Sequence, residues 1–301
     1  MNGIINVFKE QGFTSHDVVA KLRGILQIKK IGHTGTLDPD AVGVLPVCIG
    51  KATRVCDMIT DWDKQYEAVM QLGVTTDTLD MTGTVLSRKD VNVSERDIIE
   101  VCDRFVGEIE QIPPMYSALK QNGKKLYELA REGISVERKP RKVNIKTLRI
   151  NEIDMERKTV TFTVSCSKGT YIRSLCDDIG RELGTGAAML SLIRTRVGSF
   201  NYDDSFTLKQ IEELRDSDEL KNHITSVSDV FDFLPYRCTE TYDKLLYNGN
   251  KLPKDALVNM SEDGMEECKN FDMIKVFDSQ NEFVGVYKSD IDCYRPVKLF
   301  I

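Results

Sequence analysis

Residues 142–167, KVNIKTLRINEIDMERKTVTFTVSCS, alternate apolar and polar side chains through two runs separated by a charged stretch. Val143 and Ile145, then Val160, Phe162 and Val164, recur at a spacing of two, which gathers them on one face of a strand and scatters them around a helix. Two such runs joined by a polar turn predict a long antiparallel pair. Whatever else the chain contains must therefore pack against a sheet.

The flanking segments supply the other layer. GIINVFKEQGFTSHDVVAKLRGIL reads as a short strand, a turn and a helix, with Ser15 at the helix start and Val18, Val19, Leu22, Ile25 and Leu26 on one face. YEAVMQLGV is strand-like, and TTDTLDMTGTVL is a polar, turn-rich excursion leading into another strand. SERDIIEVCDRFVGEI has a serine cap and helical spacing. KLYELAREGISV is a short helix ended by Gly133, and TYIRSLCDDIGRELG is a helix ended by Gly184. Strands paired by turns with helices between them predict an α+β fold around a mixed, largely antiparallel sheet. SVSDVFDFLP reads as a connector, and residues 235–301 as a second, small β-rich unit after a larger one over 1–234.

Charge is unevenly spread. The 301 residues sum to a net charge of −6, which at first disfavours a polyanionic partner. Yet residues 111–149 carry ten Lys/Arg against three acids, whereas residues 204–301 carry twelve against twenty. A local positive field binds phosphates whatever the total; the competing reading of the basic run is a solvated face. The eight cysteines contain no CxxC pair and only three histidines are present, His16, His33 and His223, so no zinc-ligand spacing exists and no metal is expected. MNGIINVFKEQG lacks the regions of a signal peptide, and no apolar run approaches 18 residues, so a cytoplasmic protein with free thiols is expected.

Three clusters hold residues suited to chemistry. In KKIGHTGTLDPDAVGVLPVCIGKATR, Asp38 precedes Pro39. One reading makes it the cap of a short turn with Pro39 at the first helical position. The other makes it a reactive carboxylate in a loop whose Gly32, Gly35 and Gly43 let backbone approach a ligand, with Thr34, Thr36 and His33 as neighbours. The run does not match a phosphate-cradling P-loop. In SCSKGTYIRSLCDDIG, Tyr171 and Arg173 are two apart and, at a strand end or its turn, point to one side. An aromatic beside a guanidinium suits a planar, anionic ligand; core edge and surface ion pair is the alternative. Tyr66, in DWDKQYEAV, has core packing as its default.

Taken together, GHTGTLDPDAVGVLPVCIGKATR, KQYEA, IEQIPPMYSALKQNGKKLYELAREG, CSKGTYIRSL and LIRTRVGSF resemble, in order and over nearly all of residues 2–200, the bacterial tRNA pseudouridine synthase B family. The resemblance implies the pseudouridine synthase fold with a PUA-like C-terminal domain, and formation of the pseudouridine at position 55 in the T-loop of tRNA. It implies Asp38 as nucleophile, Arg173 as its partner, and Tyr66 as the platform under the base, implicated in proton abstraction. It further implies that His33 holds the opened loop, Tyr171 lines the pocket and Leu192 forms an apolar wall. A mobile RNA-clamping segment maps onto residues 116–146, with Lys120, Lys124, Lys125, Arg141 and Lys142 as phosphate contacts.

The implied reaction breaks a C1′–N1 bond and makes a C1′–C5 bond without redox change, so no cofactor is expected. It needs an ionised carboxylate in a site stripped of water, for which a bidentate guanidinium supplies the opposing charge. Turning the base out costs a few kcal/mol, and stacking on an aromatic returns about 1–3 kcal/mol. Two other classes compete: an RNA-binding or chaperone module without the reaction, and a synthase directed by a guide RNA. Binding a polyanion gives no reason to bury Asp38, and the chain has no long basic tail, so a monomer acting on tRNA without guide or protein partner is expected.

Overall fold

A computed structural model describes residues 1–261 and 272–301. The predicted antiparallel pair is present as Arg141–Asp154 and Thr159–Cys166, with Val164 opposite Leu148 and Phe162 opposite Ile150. It lies within a nine-stranded sheet whose main path runs Gly3–Lys9, Val42–Ile49, Ala187–Val197, Lys64–Leu72, Thr159–Cys166, Arg141–Asp154, Gly107–Gln111. Along this path every pairing is antiparallel but one, between Val42–Ile49 and Ala187–Val197, where Ile193 aligns with Val42 and Arg194 with Gly43. The fold is α+β, with helices flanking the sheet.

Lys64–Leu72 shows why the sheet holds. Its even-numbered residues, Lys64, Tyr66, Ala68, Met70 and Leu72, are buried, and the odd ones between them are half-buried. The buried face packs with Ile98, Val101 and Cys102 of the Glu95–Arg104 helix and Leu175 and Ile179 of the Ile172–Glu182 helix. Burying one such aliphatic side chain contributes about 1.5–3 kcal/mol. A second cluster seats Val18 and Leu22 of the Ser15–Leu26 helix and Ile211 of the Leu208–Asp216 helix on Ile5, Val7, Leu45 and Val47.

Several local expectations are corrected. The first helix is capped by Thr14, in a reciprocal box with Asp17, and not by Ser15. Ser15 is buried, and its hydroxyl accepts from the Leu37 N–H at 2.9 Å. The helix begun at Ser94 stops at Arg104, and the end of the run read as helical, which closes at Ile109, opens the Gly107–Gln111 strand. Tyr171 and Arg173 do not lie on a strand. Tyr171 precedes the Ile172–Glu182 helix and Arg173 is in its first turn, so the period-two argument for their shared side does not hold.

The second sheet has six strands, in the order Leu252–Pro253, Cys293–Leu299, Phe283–Ser289, Met273–Phe277, Leu234–Cys238, Leu257–Asn259. It curls as a PUA-like half-barrel around Cys238, Leu246, Ile274, Val276, Val284 and Tyr287. The stretch read as a connector is packed between the sheets: Val227, Val230 and Phe231 join Ile4, Val44 and Cys48 of one to Val286 and Phe300 of the other. Lys298 and Asp57 add an ion pair at 2.6 Å. Among the described residues no helix is long and apolar enough to cross a membrane.

Candidate active site

Asp38 sits in the loop between the Ile31–His33 and Val42–Ile49 strands. The loop is pinned from beneath. Leu37 donates to Ser15, Gly12 donates to the Pro39 carbonyl at 2.9 Å, and Lys9 Nζ donates to Pro39 O and Phe13 O at 3.0 and 2.6 Å. Burial without a carboxylate contact pushes the Lys9 ammonium down to about 8. Arg194 spans the two arms of the loop, donating from Nε to Val44 O at 2.7 Å and from Nη2 to Gly35 O at 3.3 Å. A short turn does follow Asp38, with Ala41 N donating to its carbonyl at 3.2 Å, but no helix does, and the carboxylate is engaged by Arg173 and not by the turn's N–H groups.

With its backbone tied down, the Asp38 carboxylate meets Arg173 side-on, Nε to Oδ2 at 3.0 Å and Nη2 to Oδ1 at 3.2 Å. The guanidinium also donates to Thr78 O at 3.1 Å and Tyr116 O at 2.8 Å, and lies 3.5 Å from the Asp80 carboxylate. Arg173 is thus a buried hub, 6% exposed, while the Asp38 side chain keeps 38% exposure. Planar bidentate geometry of this kind fixes a carboxylate's orientation as well as its charge. Burial raises the Asp38 pKa above the ordinary carboxylate value; Arg173 opposes this and Asp80 adds to it. The guanidinium supplies the opposing charge the reaction needs, but protein crowds the carboxylate on most sides and burial wins.

Tyr66 is buried in the central strand, directly opposite Arg194 across the Ala187–Val197 strand, with Leu192 opposite Ala68. Leu192, Leu37 and Tyr66 belong to one apolar cluster. Burial raises the Tyr66 pKa, and the guanidinium of Arg194 counters it. Tyr171 is held at its backbone by both ends of the Gln111 amide, at 3.0 and 2.8 Å, with Asp38, Arg141 and Arg173 in electrostatic range. His33 has partners of its own. Its Nδ1 accepts from Gly35 N at 3.3 Å, its ring meets His16 edge-on at 5.1 Å, and burial pushes its pKa down to about 4, so it is neutral at pH 7.

The proposed glycine roles change. A Cβ on Gly43, at φ +109°, would lie 2.2 Å from the Arg194 carbonyl oxygen, so the residue admits the neighbouring strand and not a ligand. Gly32 likewise faces Cys56. The basic run is only partly free. Lys124 pairs with Glu132 at 3.3 Å, Lys142 with Glu108 at 2.7 Å, and Lys125 sits over the Tyr127 ring. Lys120 lies in the same small hairpin and Arg141 opposite Gln111. Conversely Arg23, Lys29 and Lys30 line a recess with His16 and His33 whose lining contains no carboxylate.

Sequence reasoning missed Asp80, Arg194, Lys9 and Gln111. The one available signal was Arg194 itself, a charged residue two positions from Leu192 on an inward-facing strand. Among the described residues no cluster of three metal-ligating side chains occurs, and seven cysteines are free; Cys268 lies outside the described residues.

Comparisons with known proteins give the class first. Residues 23–172 match the model of the TruB family pseudouridylate synthase N-terminal domain, and 173–231 that of the tRNA pseudouridylate synthase B C-terminal domain. The chain is 51% identical to tRNA pseudouridine synthase B of Lachnoclostridium phytofermentans over 310 residues, covering all of both. It is 49% identical to the Staphylococcus aureus protein of the same name over 270 residues, 87% of this chain and 88% of that one. Among solved structures, a chain of a Cbf5-Nop10-Gar1 complex superposes with a TM-score of 0.74 at 28% identity, over 99% of this chain and 85% of that one. A chain of an H/ACA RNP bound to a substrate RNA containing 2'-deoxyuridine gives 0.73 at 26% identity, over 99% and 85%. The fold and the matched domains are those of a pseudouridine synthase. The chain belongs to the TruB family, whose function is pseudouridine formation in tRNA.

Proposed function

We propose that this protein isomerises the uridine at position 55 in the T-loop of tRNA, alone and without a guide RNA, with Asp38 as the nucleophile. The observation that carries the reading is the Asp38–Arg173 pair: a carboxylate gripped side-on by a buried guanidinium yet left accessible. An ion pair serving only stability has no need of an open carboxylate. Held this way, the ionised group can attack an electrophilic carbon of the nucleoside once the base is turned out of its stack. The net change moves the glycosidic bond from N1 to C5 and a proton from C5 to N1, so atoms and electrons balance without a cofactor. Tyr66 is assigned to the face of the turned-out base, Leu192 to the apolar wall and Tyr171 to the pocket edge.

The surrounding RNA is assigned by charge. Arg23, Lys29 and Lys30, which line a recess with His33, are assigned as one bank of phosphate contacts, and Lys120, Lys124, Lys125, Arg141 and Lys142 as the other. Tyr116 O binds Arg173, so the segment bearing the second bank starts at the catalytic hub. His33, neutral at pH 7, suits the space vacated by the base better than a phosphate contact. Residues 235–301 are assigned to the acceptor-stem side.

The purified protein incubated alone with an unmodified tRNA transcript is expected to give one pseudouridine, in the T-loop. Product that appears only with a guide RNA or a second protein would overturn the stand-alone reading.

A further inference from the structure

Gln111 ends the Gly107–Gln111 strand, is 1% exposed and has no role in the proposed chemistry. Its strand lies at the end of the sheet's path and pairs with Arg141–Asp154, where Gln111 stands opposite Arg141. The side chain is engaged by the catalytic helix. Nε2 donates to Tyr171 O at 3.0 Å, and Oε1 accepts from Tyr171 N at 2.8 Å, across 60 positions of sequence. The amide thus imitates one rung of a β-ladder against a residue that lies in no strand. One position on, Ile112 O accepts from Ser174 Oγ at 3.1 Å.

The two bonds to Tyr171 fall where the Ile172–Glu182 helix has little support of its own. Tyr171 is its N-cap, yet the phenol makes no capping bond. The Tyr171 carbonyl opens the helix, accepting from Leu175 N at 3.0 Å. Holding both the N–H and the C=O of one residue holds the peptide planes on either side of it, and with them its φ and ψ. Arg173 follows two residues later, and its guanidinium meets Asp38 at two points, 3.0 and 3.2 Å. Rotation about either Tyr171 dihedral swings the first turn of the helix as a body. A planar two-point pair tolerates little such error.

We propose that Gln111 is a positioning residue whose amide aims Arg173 at Asp38 by locking the Tyr171 backbone from which the catalytic helix departs. The inference rests on the roles given to Asp38 and Arg173 under Proposed function. No bond is made or broken at Gln111, and no proton passes through it. A carboxamide supplies one donor and one acceptor in one plane, as the Tyr171 backbone requires, whereas an ionised carboxyl supplies acceptors only. The same side chain stands at the root of the basic segment, since residues 112–140 leave the sheet at Gln111 and rejoin it at Arg141.

A double-mutant cycle tests this, read as single-turnover rates at saturating enzyme across pH 5–8, with melting temperature and tRNA affinity as controls. Gln111→Met keeps the length of the side chain and removes both bonds. It is expected to slow the reaction by about 10²-fold at pH 7, the scale of a misplacement of about 1 Å, with tRNA affinity held. Loosening Arg173 leaves the burial of Asp38 less opposed, so the rise of rate with pH should move to higher pH. In an Arg173→Lys background the same substitution should cost less than about threefold, since residues acting as a unit are non-additive. An equal loss in both backgrounds would make Gln111 a tie of the sheet edge alone and overturns the proposal, as does a wild-type rate in Gln111→Met. An Arg173→Lys enzyme at the full rate would instead remove the assignment on which it rests. Gln111→Glu covers the case of a poorly folded methionine variant. While protonated, its carboxyl offers the donor and acceptor of the amide; once ionised, it sets an oxygen against the Tyr171 carbonyl. Arg141, Tyr171, Arg173 and Asp38 are the titratable and charged groups around it. Its rate relative to wild type should fall at least about tenfold from pH 5 to pH 8, and a flat ratio refutes the proposal.

Discussion

Asp38→Asn keeps the size of the side chain and removes its charge. Of the contacts Arg173 makes, those to Asp80, Thr78 O and Tyr116 O survive the change, and the asparagine oxygen can still accept one guanidinium N–H. Had the pair been kept for stability, breaking it would cost about 3–5 kcal/mol. At about 2–4 °C per kcal/mol that lowers the melting temperature by about 6–20 °C. The direction of the Asp38 pKa argues otherwise. Burial raises it in the folded protein, so the native state holds this proton more tightly than the unfolded chain does. The stability tied to the group is present below the unfolded pKa and lost as pH rises through the folded one. At pH 7 the ionised carboxylate is therefore a liability that a neutral amide removes. The variant should melt at or slightly above the wild-type temperature at pH 7, with the difference closing as pH falls toward about 4. Its tRNA affinity should hold while single-turnover product falls to background. A drop of 6 °C or more with turnover remaining would return Asp38 to a structural role.

Arg173→Lys retains charge without the planar fork, so the Asp38 carboxylate loses its two-point grip and its pKa rises further. The saturated rate should fall and recover as pH is raised from 5 to 8 and Asp38 loses its proton; a normal rate at every pH refutes a role for Arg173. Filter binding against salt should lose about 1–2 units of log–log slope in Lys29→Ala/Lys30→Ala, as for two phosphate contacts. Lys124→Ala/Lys125→Ala should lose less, because Lys124 must first leave Glu132; a slope unchanged in either pair makes that bank a solvated face. Dialysis against EDTA, followed by assay on tRNA refolded with magnesium, should leave the rate intact, and dependence on one added transition metal would show a missing cofactor.

The long antiparallel pair was legible because each strand carries its own period-two record, and the Glu95–Arg104 helix because Ser94 and Asp97 mark its start locally. Ser15, the expected cap, gives way to Thr14 because Leu37, 22 residues away, claims the serine hydroxyl. Arg173 carried a motif but not its geometry, since only a helix start beside Gln111 aims it at Asp38. Asp80 and Arg194 left almost no trace. Asp80 looks like any acid in a polar turn, and Arg194 acquires its partners through strand register with residues over a hundred positions earlier. Side chains whose roles depend on long-range pairing are invisible to any reading of neighbours in sequence.

The Ala187–Val197 strand lies between Val42–Ile49 and Lys64–Leu72, both of which precede it by more than a hundred residues. During synthesis those two strands emerge with facing edges bare, a gap that nothing nearer in the chain fills. Closing the gap joins contacts of high sequence separation, the kind that slows folding. It also delivers Leu192 and Arg194 in the same movement. A nascent chain therefore has no assembled reaction centre to offer an RNA until its sheet is closed, and acquisition of activity during biosynthesis is a late, all-or-none event.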